Sequence, residues 1–277
     1  MRKIEAKAQM VSEQGELFAC PVCHEPLEVT GTSLVCPEHH QFDLAKKGTV
    51  NFLNAPVATE YGTAMLAARR RVLSAGFFDQ FLAEIATELT PGDRFLDIGC
   101  GEGTPTAKLA ATGATGIGFD ISAPAINLAG ALDAPAFYCV ADLARLPFLD
   151  DTFSAVVDLF SPGAYAEFNR VLRPGGQILK VIPDADYLHE LRQGLYAGTP
   201  KGTYSNARVM DRFLAVYPHA TVTPIAYDFA VTPELFADVV AMTPLTWQAP
   251  AAAKAALLAA PPASVHVAVD LLRVQVD

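Results

Sequence analysis

The sequence predicts an α/β chain: a doubly wound, Rossmann-like sheet preceded by a small metal-held module. Three observations carry this. Cys20, Cys23, Cys36 and His40 stand at metal-ligand spacing. The run Leu96-Asp97-Ile98-Gly99-Cys100-Gly101-Glu102-Gly103 joins a short apolar strand to a glycine turn and a helix start. After it, apolar runs at 116–120, 136–140, 155–160 and 177–182 recur at the spacing of strand–helix units.

In the N-terminal module, Cys20-Pro21-Val22-Cys23 is a knuckle whose two thiolates can grip one metal from a tight turn. Cys36 follows after twelve residues and His40 after three more, which closes a tetrahedral Cys3His zinc site. Residues 26–30 and 33–35 flank Gly31 and read as the strands of a hairpin. Spacing favours His40 as the fourth ligand, although His39 could replace it, and His24 is left outside the set. The competing reading is a disulfide or two buried thiols. The first nineteen residues are charged and polar, without the apolar stretch of a secretory signal, so a reducing cytoplasm is expected. The cysteine count of five is odd, and Cys100 and Cys139 lie in apolar contexts elsewhere. With four protein ligands the site is structural. Its metal should contribute on the order of 10 kcal/mol of folding free energy, which so small a module cannot draw from its own core.

In the second unit, strand 94–98 leads through Gly99, Gly101 and Gly103 to a helix opened by Thr104, Pro105 and Thr106. The glycines permit a sharp turn and close backbone approach to a ligand, and the helix start presents unpaired N–H groups. A dinucleotide fold would want G-x-G-x-x-G. Here the spacing is G-x-G-x-G with Asp97 two residues ahead, which resembles the S-adenosylmethionine loop of class I methyltransferases. Asp120 ends the next strand, where a carboxylate suits both hydroxyls of a ribose. Asp142 follows the third strand, placed to accept from an adenine amino group. The turn Arg173-Pro174-Gly175-Gly176 precedes the fifth strand. This order resembles class I methyltransferases over about 100 residues, a length read from the motif span. For any one of Asp97, Asp120 or Asp142, an ordinary strand-end or helix-cap carboxylate is the competing reading. Their common register argues for a site.

The chain has 277 residues, enough for one large domain and a small one. Three parts are expected: a zinc module at 15–54, a helical linker at 55–92 beginning at Ala55-Pro56-Val57, and a class I domain at 93–277. Half the residues are apolar, but no long uninterrupted run indicates a membrane span. A net charge of −10 argues against indiscriminate nucleic-acid binding. The acid is uneven: residues 1–80 hold eight Lys/Arg and nine Asp/Glu, against twelve and twenty-one in 81–277. Basic charge therefore concentrates around the zinc module and linker, at Lys46-Lys47 and Arg69-Arg70-Arg71. Three successive arginines on a helix point in different directions. Phosphate contact and pairing with carboxylates compete for them. Helical periodicity runs over 65–73 and 77–89, broken at Gly76, and again over 187–196 and 233–241. A sixth strand is expected near 221–229 and a final antiparallel strand at 265–276.

The sequence resembles the RlmA family of 23S ribosomal RNA guanine-N1 methyltransferases. The resemblance is carried by 20–27 and 36–48, by Ala68-Arg69-Arg70 and Leu73-Ser74-Ala75-Gly76 before Phe77-Phe78, by the whole glycine loop, and by Phe160-Ser161-Pro162, Met242-Thr243-Pro244 and Trp247. It implies a class I sheet with an N-terminal zinc-binding module, and methyl transfer from S-adenosyl-L-methionine to N1 of one guanine in a 23S rRNA hairpin. The zinc module would grip the hairpin. It further implies cofactor roles for Gly99, Gly101, Glu102, Gly103, Thr104, Thr106 and Asp120, with Phe78 and Tyr187 as aromatic contacts. Phe160, Ser161 and Pro162 would floor the pocket of the target base, and Arg69 and Arg70 would meet substrate. Asp158, near the end of the fourth strand, is the candidate general base, with a solvated strand-end carboxylate as the competing reading and positioning as the alternative source of rate. A cytoplasmic enzyme is implied, and a homodimer is admitted. Two other readings compete: a small-molecule methyltransferase, which leaves the zinc module unexplained, and a non-catalytic zinc-ribbon protein, which the intact loop argues against.

Overall fold

Strands buried on both faces read as near-continuous apolar runs, and five segments here do so. They are β6 (Arg94–Ile98), β7 (Thr115–Asp120), β8 (Ala136–Val140), β9 (Phe153–Leu159) and β10 (Leu172–Pro183). In the computed structural model, which describes residues 1–277 except Pro56, Ala58 and Glu60, they form the parallel centre of one eight-stranded sheet. Its order is β11-β12-β10-β9-β6-β7-β8-β5, with β5 at Val50–Asn51, β11 at Thr221–Ala230 and β12 at Ser264–Gln275. Only β12 runs against its neighbours, pairing antiparallel with both β10 and β11. The order reverses at β6, which pairs with β7 on one side and β9 on the other. Ligands of such sheets bind beyond the carboxyl ends of the strands at that reversal.

Helices cover both faces: α2 (Thr63–Ser74), α3 (Asp79–Ala86), α4 (Thr104–Ala110), α5 (Ala123–Ala129), α6 (Tyr165–Val171), α7 (His189–Tyr196), α8 (Ala207–Val216), α9 (Pro233–Met242) and α10 (Ala251–Ala259). The expected break at Gly76 is a turn with φ +101° between α2 and α3. The start of the linker at Ala55-Pro56-Val57 includes Pro56, which lies outside the described residues.

A separate antiparallel sheet of β1 (Phe18–Ala19), β2 (Pro26–Thr30), β3 (Ser33–Val35) and β4 (Gln41–Asp43) carries the cysteines. Two features depart from the expected division. The run 3–13, assigned no structure from the sequence, is helix α1 (Lys3–Glu13). Its Lys7 Nζ donates to the carbonyls of Ala134 and Ala136 at 2.7 and 2.6 Å, at the start of β8. And β5, within the segment expected to belong to the zinc module, pairs parallel with β8 as an edge strand of the large sheet. Two residues are too short to show any alternation, so only the partner reveals the strand.

The ribbon therefore does not hang free. Phe18 packs its ring 5.2–5.5 Å from those of Phe52, Phe137 and Phe148. Ala19 N–H donates to Pro147 O, and Leu149 N–H to Leu17 O, both at 3.1 Å. Leu27, Leu34, Cys20 and Cys36 share one buried cluster with Ile98, Ile117 and Phe119 of the large sheet and Phe148 of the loop between β8 and β9. A second cluster fills the opposite face around Phe77, Phe78, Phe81 and Phe95.

Candidate active site and zinc centre

The knuckle and the hairpin bring Cys20, Cys23, Cys36 and His40 together with their ligand atoms all within 4.8 Å of one another. Cys23 Sγ lies 3.5 Å from Cys36 Sγ, and His40 Nδ1 lies 3.3 Å from Cys36 Sγ. Tetrahedral zinc with bonds of about 2.0–2.3 Å needs ligand separations of this order, so the donor set and its geometry fit zinc. His40, not His39, turns inward. His39 takes φ +63° and is exposed. Burial pushes the Cys23 thiol up to about 11. Burial opposes ionisation at Cys36 too, but the His40 backbone N–H and its other hydrogen bonds bring it down to about 7. A low-lying thiol at Cys36 beside one at Cys23 that burial keeps protonated is a pair that a cation would ionise together. All five cysteines are free of disulfides.

At the reversal point lies a cavity of about 400 Å³, lined from the carboxyl ends of β6, β7, β8 and β9 and by α2 and the turn after α9. Gly99 and Gly101 face it. Gly99 holds φ +63°, and a Cβ there would collide with Ser161 Oγ. Gly103, at φ +86°, would put a Cβ 2.8 Å from that of Ala129. The loop is thus fixed on both sides by backbone that only glycine tolerates. Asp120 lines the cavity, its carboxylate accepting from Gly101 N–H at 3.0 Å and Ser122 N–H at 2.8 Å. Burial raises its pKa, against the pull of those two donors. Asp142 lines it too, accepting from Ala144 N–H at 2.9 Å.

Phe78, Phe160 and Tyr187 form an aromatic wall, with Phe160 5.5 Å from Phe78 and 5.4 Å from Tyr187. Phe160 holds φ +65°, a left-handed conformation that side chains other than Gly seldom adopt and that clusters at functional sites. Ser161 donates to Ile98 O at 2.9 Å, and Pro162 completes this turn at the cavity. Arg69 places its guanidinium 5.5 Å over the Phe78 ring and lines the cavity.

Other expected residues lie beneath the loop, not at the cavity. Asp97 is buried and accepts from Thr106 Oγ1 at 2.5 Å. Burial pushes its carboxyl up to about 7. Glu102 is fully buried and accepts from Thr104 Oγ1 at 2.7 Å. Arg70, expected to meet substrate, instead donates from Nε to Glu102 at 2.7 Å. Arg71 pairs with Asp238. The three arginines divide as their helical spacing implies: two are tied to carboxylates and only Arg69 faces the cavity.

Asp158, the expected general base, is not among the residues lining the cavity. Its carboxylate is fully buried, 2.6 Å from Lys180 Nζ, and it accepts from Ser161 N–H at 2.9 Å. Lys180 Nζ donates onward to Ser161 O at 2.8 Å. The pair sits across directly opposed positions of β9 and β10. It clamps the Phe160-Ser161-Pro162 turn and offers no carboxylate to the cavity. Breaking such a buried pair strands a charge, at about 3–5 kcal/mol. Lys180→Met is expected to lose that much in urea unfolding, and adding Asp158→Asn should recover part of it. A midpoint unchanged in Lys180→Met would show that the pair does not hold the turn.

Tyr61, Met65, Leu66, Ser122, Ala125 and Leu143 also line the cavity. Sequence reasoning missed them because most are small or apolar residues that carry no motif.

The sheet order, the glycine loop and the two strand-end acids define a class I S-adenosylmethionine-dependent methyltransferase fitted with a zinc ribbon. Comparison with known proteins agrees in both parts. Residues 18–59 match the family model "RlmA, N-terminal", and 96–179 match "Methyltransferase domain". The putative 23S rRNA (guanine-N(1)-)-methyltransferase YxjB of Bacillus subtilis (strain 168) is 38% identical over 270 residues, 92% of this chain and 96% of the relative. The 23S rRNA (guanine(748)-N(1))-methyltransferase of Streptomyces fradiae is 33% identical over 64% of this chain and 66% of its own. Among solved structures, a putative methyltransferase from an antibiotic biosynthesis pathway of Anabaena variabilis ATCC 29413 superposes with TM-score 0.55 at 15% identity. It covers 70% of this chain and 96% of its own, a likeness of fold alone. The chain belongs to the RlmA-type family of 23S rRNA (guanine-N1)-methyltransferases. Among the described residues no helix is long and apolar enough to cross a membrane.

Proposed function

We propose that the protein methylates N1 of one guanine in a hairpin of 23S rRNA. Residues 15–54 serve as the RNA grip, 55–92 as the connecting helices and 93–277 as the catalytic part. The observation that supports this best is the likeness to YxjB across 92% of the chain, ribbon included. A small-molecule acceptor would leave the ribbon without a task. S-adenosyl-L-methionine supplies an electrophilic methyl on a sulfonium.

The chain's own residues hold both reactants. Gly99 and Gly101 let backbone approach the cofactor, Asp120 takes its ribose hydroxyls and Asp142 its adenine amino group. Phe78 and Tyr187 pack against it, and Arg69 suits its carboxylate. Glu102, Gly103, Thr104 and Thr106 act from below by fixing the loop. The Phe160-Ser161-Pro162 turn floors the pocket for a guanine drawn out of its stack. With Asp158 held by Lys180, the rate rests on positioning, and the N1 proton leaves to solvent. The enzyme acts in the cytoplasm, where ribosomal RNA is made, and a homodimer is compatible with this reading.

Asp97 adds a pH dependence. With its carboxyl raised to about 7 by burial, its negative charge is present above that pH and lost below it. The cofactor is cationic at sulfur and nitrogen, so its affinity should fall as pH drops through 7, by up to about tenfold per unit. Titration calorimetry across that range should show this, and Asp97→Asn should flatten the profile. A wild-type affinity constant across neutrality would sink the idea.

The function itself is tested by transferring labelled methyl to 23S rRNA from a strain lacking such enzymes and identifying the nucleoside by mass. One-methylguanosine at a single site is expected. No incorporation, with cofactor binding intact, would overturn the reading.

A further inference from the structure

Beside the cavity runs a second groove of about 380 Å³, walled by α7, the turn Pro200–Gly202 and the turn Pro244–Thr246. Pro244 lines both spaces. Trp247 lines the groove and meets Tyr61 of the cavity rim at 5.4 Å and 72° between rings. Both rings are unusually open, at 37% and 42% exposure. Two cations, Arg192 and Lys201, line the same groove. Arg192 lies 5.0 Å over the Tyr204 ring and donates to Lys201 O at 3.3 Å, yet its buried Nε has no hydrogen-bond partner. Lys201 Nζ donates to the neutral Gln248 at 2.9 Å and lies 5.8 Å over the Tyr196 ring. Among the described residues no acidic side chain lines the groove and neither cation has an ion pair.

That composition is informative in this chain. The part beyond residue 80 is strongly acidic, so RNA phosphates need local cations to approach the cavity at all. A guanidinium and an ammonium without a carboxylate partner, both lining the groove, supply that local charge. An indole at the rim offers what single-stranded nucleic acid uses, a flat face on which a base stacks. Drawing one base out of a helix also strips its neighbour of a stacking partner.

We propose that this groove is a subsite for the nucleotide next to the target guanine, with its base stacked on Trp247 and its phosphate held by Arg192 and Lys201. The assignment rests on the RNA-methylating reading and deepens it. It separates RNA grip by the ribbon from RNA placement at the cavity, and assigns the second task to α7 and the Trp247 turn.

Trp247 is the only tryptophan of the chain, so its fluorescence reports the subsite directly. Two measurements test the proposal. Titration with short single-stranded oligoribonucleotides should quench this fluorescence saturably, and Lys201→Glu should weaken the quench about tenfold. In methyl transfer to an unmodified 23S rRNA transcript, Trp247→Ala and Lys201→Glu should each raise KM for RNA about tenfold, with a smaller change in kcat and unchanged cofactor affinity. Trp247→Phe, which keeps an aromatic face, should recover most of the loss. Absence of quenching, or a KM unmoved in both variants, overturns the subsite. Saturable quenching by oligoribonucleotides with no methylation of the transcript would keep the subsite and reject 23S rRNA as the acceptor.

Discussion

Chelating the zinc is expected to lower the melting temperature of the whole chain, not of the ribbon alone. Structural zinc in small modules carries apparent binding free energies of about 10 kcal/mol or more, comparable with the entire stability of an ordinary domain. In a ribbon on a loose tether that loss would stay local. Here Cys20 and Cys36 are members of the same buried cluster as Phe119 and Phe148. The chain leaving the ribbon becomes β5 of the catalytic sheet. Unfolding the ribbon therefore exposes Phe18 and the face of β8 beneath it, and withdraws an edge strand whose partner ends next to Asp142. Thermal scans with and without a strong chelator, followed by far-UV circular dichroism and by cofactor binding, should show one transition shifted in both signals. Cys36→Ser should reproduce the shift without chelator. A second, unshifted transition for the catalytic part would show the two parts to be energetically independent. Acidification should act like chelation, because protons compete with the metal for the thiolates and His40.

The same shared core explains which features the sequence displayed and which it hid. The zinc ligands and the glycine loop were legible because each is local: the chemistry is written in residues a few positions apart. The sheet followed from recurring buried runs, and even β12, the antiparallel strand between β10 and β11, was marked by its own apolar pattern. Contacts across strands were hidden. Nothing near Asp158 in the chain announces Lys180. Only the register of β9 against β10 brings them face to face, which turns an apparent base into half of a buried clamp. For Arg70, phosphate contact and carboxylate pairing competed until the fold brought Glu102 beneath it. Helix α1 and strand β5 were hidden for a related reason: both are defined by what they pack on, and neither carries a motif. Thr104 and Thr106 were expected to meet the cofactor because helix starts face ligands, but their hydroxyls satisfy Glu102 and Asp97 instead. Buried carboxylates need such donors more than the cavity does.

Asp120→Ala is expected to cut affinity for S-adenosylmethionine by a hundredfold or more while leaving the chain folded. Two effects act together. The carboxylate is the acid at the end of β7 that reaches the cavity, and hydrogen bonds from a ribose diol to a charged acceptor are each worth about 1.5–3 kcal/mol. It also holds the loop itself. Gly101 N–H and Ser122 N–H both donate to it, so its removal frees the glycine turn as well as the diol. Asp120→Asn separates these effects. It keeps the shape and one acceptor oxygen, but must point an amide N–H either at a backbone donor or at the ribose. It should therefore bind the cofactor more tightly than the alanine variant and far more weakly than wild type. Equilibrium binding of the cofactor gives the affinities. Zinc content and the far-UV spectrum confirm that the fold persists, since Asp120 is remote in sequence from the ribbon and makes no contact with its ligands. Binding by Asp120→Ala within about threefold of wild type, less than one lost hydrogen bond, would remove Asp120 from the cofactor site and leave Asp142 as the remaining carboxylate that lines the cavity among the described residues.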